Sequence, residues 1–491
     1  MSQSIRGGER GPRPFFDQAL QRLGGVWRGR MPEARGDLLR LSGRAATPLR
    51  PDLHRDDAAK LRRLMLEWLE RRGGEVSARA RAAELGYLYQ GLSRKGRLRY
   101  LKLLGEALDL DREALASAAR SFLESPANGY RELREAATPP RVRFLKMLNA
   151  LPSGFKFLVD LRADLLSFLG EEPELAELDY DLQMLFDYWF DVNLLTFEEI
   201  SWNSRASLLE KLIAYEAVHE IHSWTDLKNR LDADRRCYAF FHPKMPNEPL
   251  IFVEVALTEG MPGSIHDLLD EAAPLQEPER ATTAVFYSIS NTQKGLRGIN
   301  FGNFLLKRVI DDLSRHLPRL KTFVTLSPIP GFRRWLLQTL EAQGEAGLLE
   351  AGELAKLEAA MPEERSSGLR ALLEAPDWHR DEALAEALKE PILRLGAWYL
   401  LHARQEDGKP LDPVARFHVF NGARVERLNW LADLSPQGVE RSFGLMVNYL
   451  YQQSEIESNH ELSYEGKIAA SPALRKLTRG RAPELVEGRP A

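Results

Sequence analysis

The chain has 491 residues, 67 basic against 71 acidic side chains, a net charge of -4 and a hydrophobic fraction of 44%. That length suits about three domains with a large core, and so even a charge balance argues against a dedicated nucleic-acid binder. A single cysteine, Cys237, rules out an intrachain disulfide and points to a reducing compartment.

Residues 1–50 mix Gly, Pro, Arg and polar residues, which predicts a loosely ordered start. Arg6, Arg10, Arg13, Arg22, Arg28 and Arg30 give it something of a transit-peptide look, offset by Glu9, Asp17 and Glu33. No apolar run reaches the ~18 residues of a membrane span, so no membrane partner is expected, and cytoplasm is the expected location. From Asp56, Leu61, Leu64, Met65, Trp68 and Leu69 recur at helical spacing before Gly73-Gly74. Similar amphipathic segments follow, so residues 51–200 read as an all-helical bundle with apolar faces suited to assembly. His219 and His222 stand three apart in a predicted helix, without the His-Glu-x-x-His spacing of a metal site.

Strands are predicted at Cys237–Phe241, Leu250–Leu257 and Thr283–Ile289, a β-meander in which Cys237 is a buried core thiol. A polar, glycine-studded turn then runs from Asn291 to Gly302, with Gly295, Gly298 and Gly302 able to bring the backbone close to a ligand. Phe304, Leu305, Val309, Ile310 and Leu313 predict a helix whose N-terminus is a natural phosphate seat. Phe323, Val324 and Leu326 predict a strand reached by a helical crossover, hence parallel to the one before the turn. Ser327-Pro328-Ile329-Pro330-Gly331 ends that strand, because its prolines cannot continue a ladder. Residues 345–404 predict a helical insertion. Val414–Phe420 and Ala423–Trp430 flank Asn421-Gly422, the preferred dipeptide of a two-residue hairpin turn, so both are expected as strands, with His418 facing Val425. The mixed α/β part thus spans 201–458, and the polar stretch 459–491 is expected to pack little.

Arg297-Gly298-Ile299-Asn300-Phe301-Gly302 resembles the pyrophosphate loop of the GNAT-type acyl-CoA fold, with Asn300 in place of the middle glycine. His242–Ile265, Leu326–Phe332, Asp412–Ala423 and Gly444–Tyr451, in that order, together resemble the malonyl-CoA decarboxylase family. The resemblance implies an α+β chain: an all-helical N-terminal domain, then a GNAT-like mixed α/β catalytic domain. It implies malonyl-CoA as substrate, acetyl-CoA and CO2 as products, no cofactor beyond the CoA of the substrate, and a homotetramer. It assigns Ser327 as the catalytic serine and His418 as its partner. Tyr451, and less so Tyr449, could lend a hydroxyl, and Asn300 stands where relatives hold a carboxylate.

The chemistry fits these residue types. Loss of CO2 from a malonyl thioester leaves an enolate, which needs donors at the thioester oxygen, a group to hold the carboxylate and a proton source. A serine hydroxyl can bind the carboxylate, and an imidazole titrating near neutrality can relay the proton. Ser327-Pro328 lacks the Gly-x-Ser-x-Gly elbow of serine hydrolases, which disfavours covalent hydrolysis. Ser290, at the exit of the first parallel strand, is expected near the thioester, and Thr292, Gln293, Gly295, Arg297, Gly298 and Gly302 near the pyrophosphate. Two other functions stay open: acyl transfer from CoA to an amine or hydroxyl, and non-catalytic response to acyl-CoA.

Overall fold

A computed structural model describes residues 49–70, 74–299, 302–361, 368–375, 377–480 and 483. Helices follow one another from Arg55 to Trp189, most with an apolar face turned inward, although Arg112–Glu124 and Pro126–Ala136 bury only Ala118 and Gly129; Leu61, Met65 and Trp68 of the first are fully buried. The sheet begins earlier than the sequence suggests. Thr196–Ile200, within the stretch expected to be helical, is strand β1 and pairs antiparallel with β2, Arg235–His242. Its β-branched ends and exposed Glu198 and Glu199 suit a half-covered edge strand, whose stability comes from the partner strand.

Strands β3 (Met245–Thr258) and β4 (Thr283–Asn291) complete the predicted meander, and β5 (Thr322–Thr325) lies parallel to β4 after the helix Gly302–His316. Ser327-Pro328 forms a short continuation, β6. Strands β7 (Arg424–Asn429) and β8 (Met446–Leu450) pair antiparallel, and β8 also pairs with β5 and β6. Side chains alternate between two cores. Tyr238, Phe240, Val253 and Phe286 join Leu305, Val309 and the N-terminal helices on one face. On the other, Cys237, Ala239, Phe241 and Phe252 pack on Leu209, Leu212 and Leu227. Cys237 is buried as expected, and burial pushes its thiol well above the ordinary value.

Two irregularities mark the C-terminal half of β4. Val255 pairs with Phe286 and Glu254 with Ser288, so Tyr287 is an extra, bulged residue on β4. The β4–β5 pairing ends at Phe286 opposite Thr325. Strand β5 stops there while β4 runs on to Asn291, so the last residues of β4 have no β5 partner at the C-terminal ends of the parallel pair, where open α/β sheets take ligands.

The expected 345–404 insertion is helical, closing with the 21-residue helix Glu382–His402. The expected hairpin is not present. Pro413–Phe420 is an α-helix, and only its second half, Arg424–Asn429, is a strand. Asp412 accepts the N–H groups of Val414 and Ala415, and Pro413 sits in the first turn, an arrangement that starts a helix. Asn421-Gly422 stops it. Gly422 has φ +78, its N–H reaches the Val419 carbonyl, and the Ala423 N–H reaches the His418 carbonyl, a Schellman closure.

The stretch after 459 also packs more than expected. Helices Ile456–Tyr464 and Pro472–Leu477 lie on the sheet domain, Leu474 is buried, and Val425 exchanges backbone hydrogen bonds with Ala469 and Ser471. His219 and His222 fall in a loop rather than a helix.

Candidate active site

Ser327 sits just past the end of β5, where Pro328 and Pro330 stiffen the chain into the helix Phe332–Gln343. His418 comes from the Pro413–Phe420 helix, 91 residues further on, and its Nε2 lies 3.2 Å from Ser327 Oγ. Tyr451, directly after β8, places its hydroxyl 2.8 Å from His418 Nδ1. Ser327 Oγ in turn donates to Thr325 Oγ1 at 2.8 Å. The imidazole is stacked on the Tyr449 ring, with centroids 4.5 Å apart. All five side chains are buried.

The directions of these bonds are mutually consistent. Burial holds the Tyr451 phenol well above its ordinary value, so it stays protonated and donates to Nδ1. The proton of the neutral imidazole is then on Nε2, which donates to Ser327 Oγ, while the serine proton points to Thr325. Burial alone pushes His418 down to about 3. The imidazole is therefore neutral across the physiological range, and the expectation of a group titrating near neutrality is corrected: no compensating charge offsets its desolvation. A histidine that donates to the serine is not poised to deprotonate it, so the arrangement suits hydrogen bonding to a substrate rather than acyl-serine formation.

Thr325 was missed in the sequence, where it reads as an ordinary strand residue. Its Oγ1 also accepts the Tyr449 N–H at 3.2 Å, and its carbonyl accepts from Asn448 Nδ2 at 2.8 Å. Glu216 was missed too. Its carboxylate accepts the hydroxyls of Ser288 (2.7 and 2.8 Å) and Ser290 (3.1 Å), bracing the exit of β4. The next strand carries Glu254, fully buried against Arg230 at 3.1 Å and pushed up to about 8 by burial.

The glycine-rich turn is tied to the helical region. Thr292 Oγ1 and Gln293 Nε2 both donate to the Pro249 carbonyl. Gly295 packs directly on the Val159 carbonyl, so the close approach expected for a ligand is made to a helix, Gly154–Leu166. From that helix Arg162 donates to the carbonyls of Gly295 (2.9 Å) and Arg297 (2.8 Å) while pairing with Asp179 at 2.7 Å. Gly298 has φ +90 and faces Gln183. Gly302 opens the helix that follows, as expected, and Asn300 lies outside the described residues.

A family model described as "Malonyl-CoA decarboxylase C-terminal domain" matches residues 193–487, and one for the N-terminal domain of the same family matches 108–190. The chain belongs to the malonyl-CoA decarboxylase family. Among malonyl-CoA decarboxylases, the mitochondrial one of Rattus norvegicus is 38% identical over 417 residues, 82% of this chain and 83% of that protein. The one of Anser anser anser, also named mitochondrial, is 40% identical over 331 residues, 65% of this chain and 66% of that protein. Solved malonyl-CoA decarboxylases have the same architecture. The Rhodopseudomonas palustris structure has a TM-score of 0.77 at 44% identity, covering 86% of this chain and 99% of that one. For Agrobacterium vitis the TM-score is 0.78 at 43% identity, covering 85% and 99%. The mitochondrial names of the curated relatives overturn the expectation of a cytoplasmic protein.

Proposed function

We propose that this chain is a carboxy-lyase that converts malonyl-CoA to acetyl-CoA and CO2, with Ser327 and His418 at the reacting end of the substrate. The observation that carries the reading is the buried line Tyr451–His418–Ser327–Thr325 at the end of β5, in a chain of this family. The malonyl carboxylate takes the Ser327 hydroxyl and the His418 Nε2–H in place of their present partners. In so buried a surrounding the carboxylate is poorly solvated. Cleavage moves its electron pair into the thioester enolate, releases neutral CO2 and spreads the charge. One proton, arriving over the Ser327–His418 relay, then closes C2 to a methyl group. The thioester carbonyl is itself the electron sink, so the chemistry calls for no metal or prosthetic group.

The thioester lies along the end of β4 beyond Phe286, beside Ser290, and the pyrophosphate lies at the N-terminus of Gly302–His316, against Gly298 and Arg297. Thr292, Gln293 and Gly295 shape this seat from behind through their contacts with Pro249 and Val159. Asn300 is proposed as a polar group beside the thioester.

The helical half, to about residue 195, is the assembly domain of a homotetramer. Tyr180, Met184 and Tyr188, at i, i+4 and i+8 of the helix Ala176–Trp189, form an exposed apolar stripe that supports this.

The test is CO2 and acetyl-CoA release from malonyl-CoA without added cofactor. Ser327→Ala and His418→Ala are expected to fold and to lower kcat by about 10²–10⁴-fold. No release by well-folded wild type, with transfer to an added amine or hydroxyl instead, would shift the reading to an acyltransferase.

A further inference from the structure

We infer that Asp412 is the positioning residue that sets the Ser327–His418 distance. This rests on the reading of that pair as the reacting groups.

The carboxylate is buried and used on both oxygens. Oδ1 accepts the N–H groups of Val414 at 2.9 Å and Ala415 at 2.8 Å, capping the helix that carries His418. Oδ2 faces the other way. It accepts the Gly331 N–H at 3.4 Å and lies 3.5 Å from the Tyr399 hydroxyl. Gly331 is the last residue of the corner that begins at Ser327, and a Cβ there would run into the Tyr399 hydroxyl, so the approach depends on glycine. One side chain thus joins the two segments that bring the reacting groups together.

Both arms from this joint are stiff. From Gly331 back to Ser327 are four residues, two of them the φ-locked Pro328 and Pro330. From Asp412 to His418 the chain is helical, with about 1.5 Å of rise per residue. A shift at the carboxylate is therefore passed to the 3.2 Å contact between Ser327 Oγ and His418 Nε2 rather than absorbed.

A helix cap alone does not call for this residue. Serine or asparagine caps equally well, and burial penalises the Asp412 anion, which is held only by neutral donors and pushed up to about 6. What a carboxylate adds is the second acceptor, the one that reaches Gly331.

The experiment compares Asp412→Asn and Asp412→Ser with wild type. Both keep an oxygen for the cap; the first turns an N–H donor toward Gly331, and the second is too short to reach it. We expect both to fold, to hold KM for malonyl-CoA within about threefold and to lose about 10²-fold in kcat, as a misplacement of about 1 Å does. A second readout needs no substrate. In protein with 13C-labelled histidine, the His418 resonance, identified by its absence from His418→Ala, is expected to move in both variants. Should one variant fail to fold, the other carries both readouts. An unmoved His418 resonance overturns the inference whatever the activity does, and so does wild-type kcat in Asp412→Ser, which would leave only a cap. If wild type releases no CO2, the functional reading fails while the resonance still decides the positioning role.

Discussion

His418 shows how burial rewrites a residue's chemistry. Free histidine titrates near 6.5, but this one is driven down to about 3 by desolvation. Unfolded, it takes up its proton first, so its contribution to stability is full above about pH 6.5 and is lost as the pH falls toward 3. Asp412, raised from 3.8 to about 6, works in the opposite sense: its contribution is full below 3.8 and is lost as the pH rises through 6. We expect the stability difference between wild type and His418→Gln to grow with pH across the window from about 3 to 6.5, by about 1.4 kcal/mol per unit. Denaturant unfolding at stepped pH reads this directly, and a flat difference would contradict a buried neutral imidazole. By the same argument kcat/KM, which reports the free enzyme's groups, has no break from His418 between about pH 6 and 8.

At the scale of elements, Asp412–Ala423 shows how a local signal can be read in two ways. Asn-Gly between two apolar runs is a hairpin signal, yet the same dipeptide closes a helix when the glycine takes positive φ. The deciding cue was already in the sequence, in Asp412-Pro413, an N-cap followed by proline at the first helical position. Strand β1 carried no comparable cue, because Thr196–Ile200 is held by β2 rather than by its own pattern. The glycine-rich turn was legible as a close backbone approach, but the neighbour was not. Gly295 meets Val159 of the helical half. Gly295→Ala is expected to cost at least about 1–3 kcal/mol of stability, since neither backbone can give way, as thermal or denaturant unfolding would record.

At the scale of the whole molecule, the helical half braces the catalytic half. Arg162 is almost fully buried, and removing its charge pairing with Asp179 would also strand the carbonyls of Gly295 and Arg297. The helix Ala176–Trp189, which supplies Asp179, also carries the exposed stripe of Tyr180, Met184 and Tyr188. Met184→Glu with Tyr188→Glu is expected to yield smaller species in sedimentation velocity while leaving the monomer folded. Unchanged sedimentation would overturn the proposed role of the stripe in assembly.

By itself the sequence determined the order of helical bundle, meander, crossover and insertion, because periodicity and turn residues act over a few positions. It also determined, through four ordered blocks, the family and the serine and histidine to single out. Tertiary structure alone decided that Thr325 and Tyr451 meet the pair, that Asp412 bridges the two segments carrying it, and that the imidazole is neutral. Those facts depend on what lies across the core from each residue, 81 positions away for Gly331 and Asp412 and 91 for Ser327 and His418. Desolvation and hydrogen-bond partners at such separations are set only when the chain has closed.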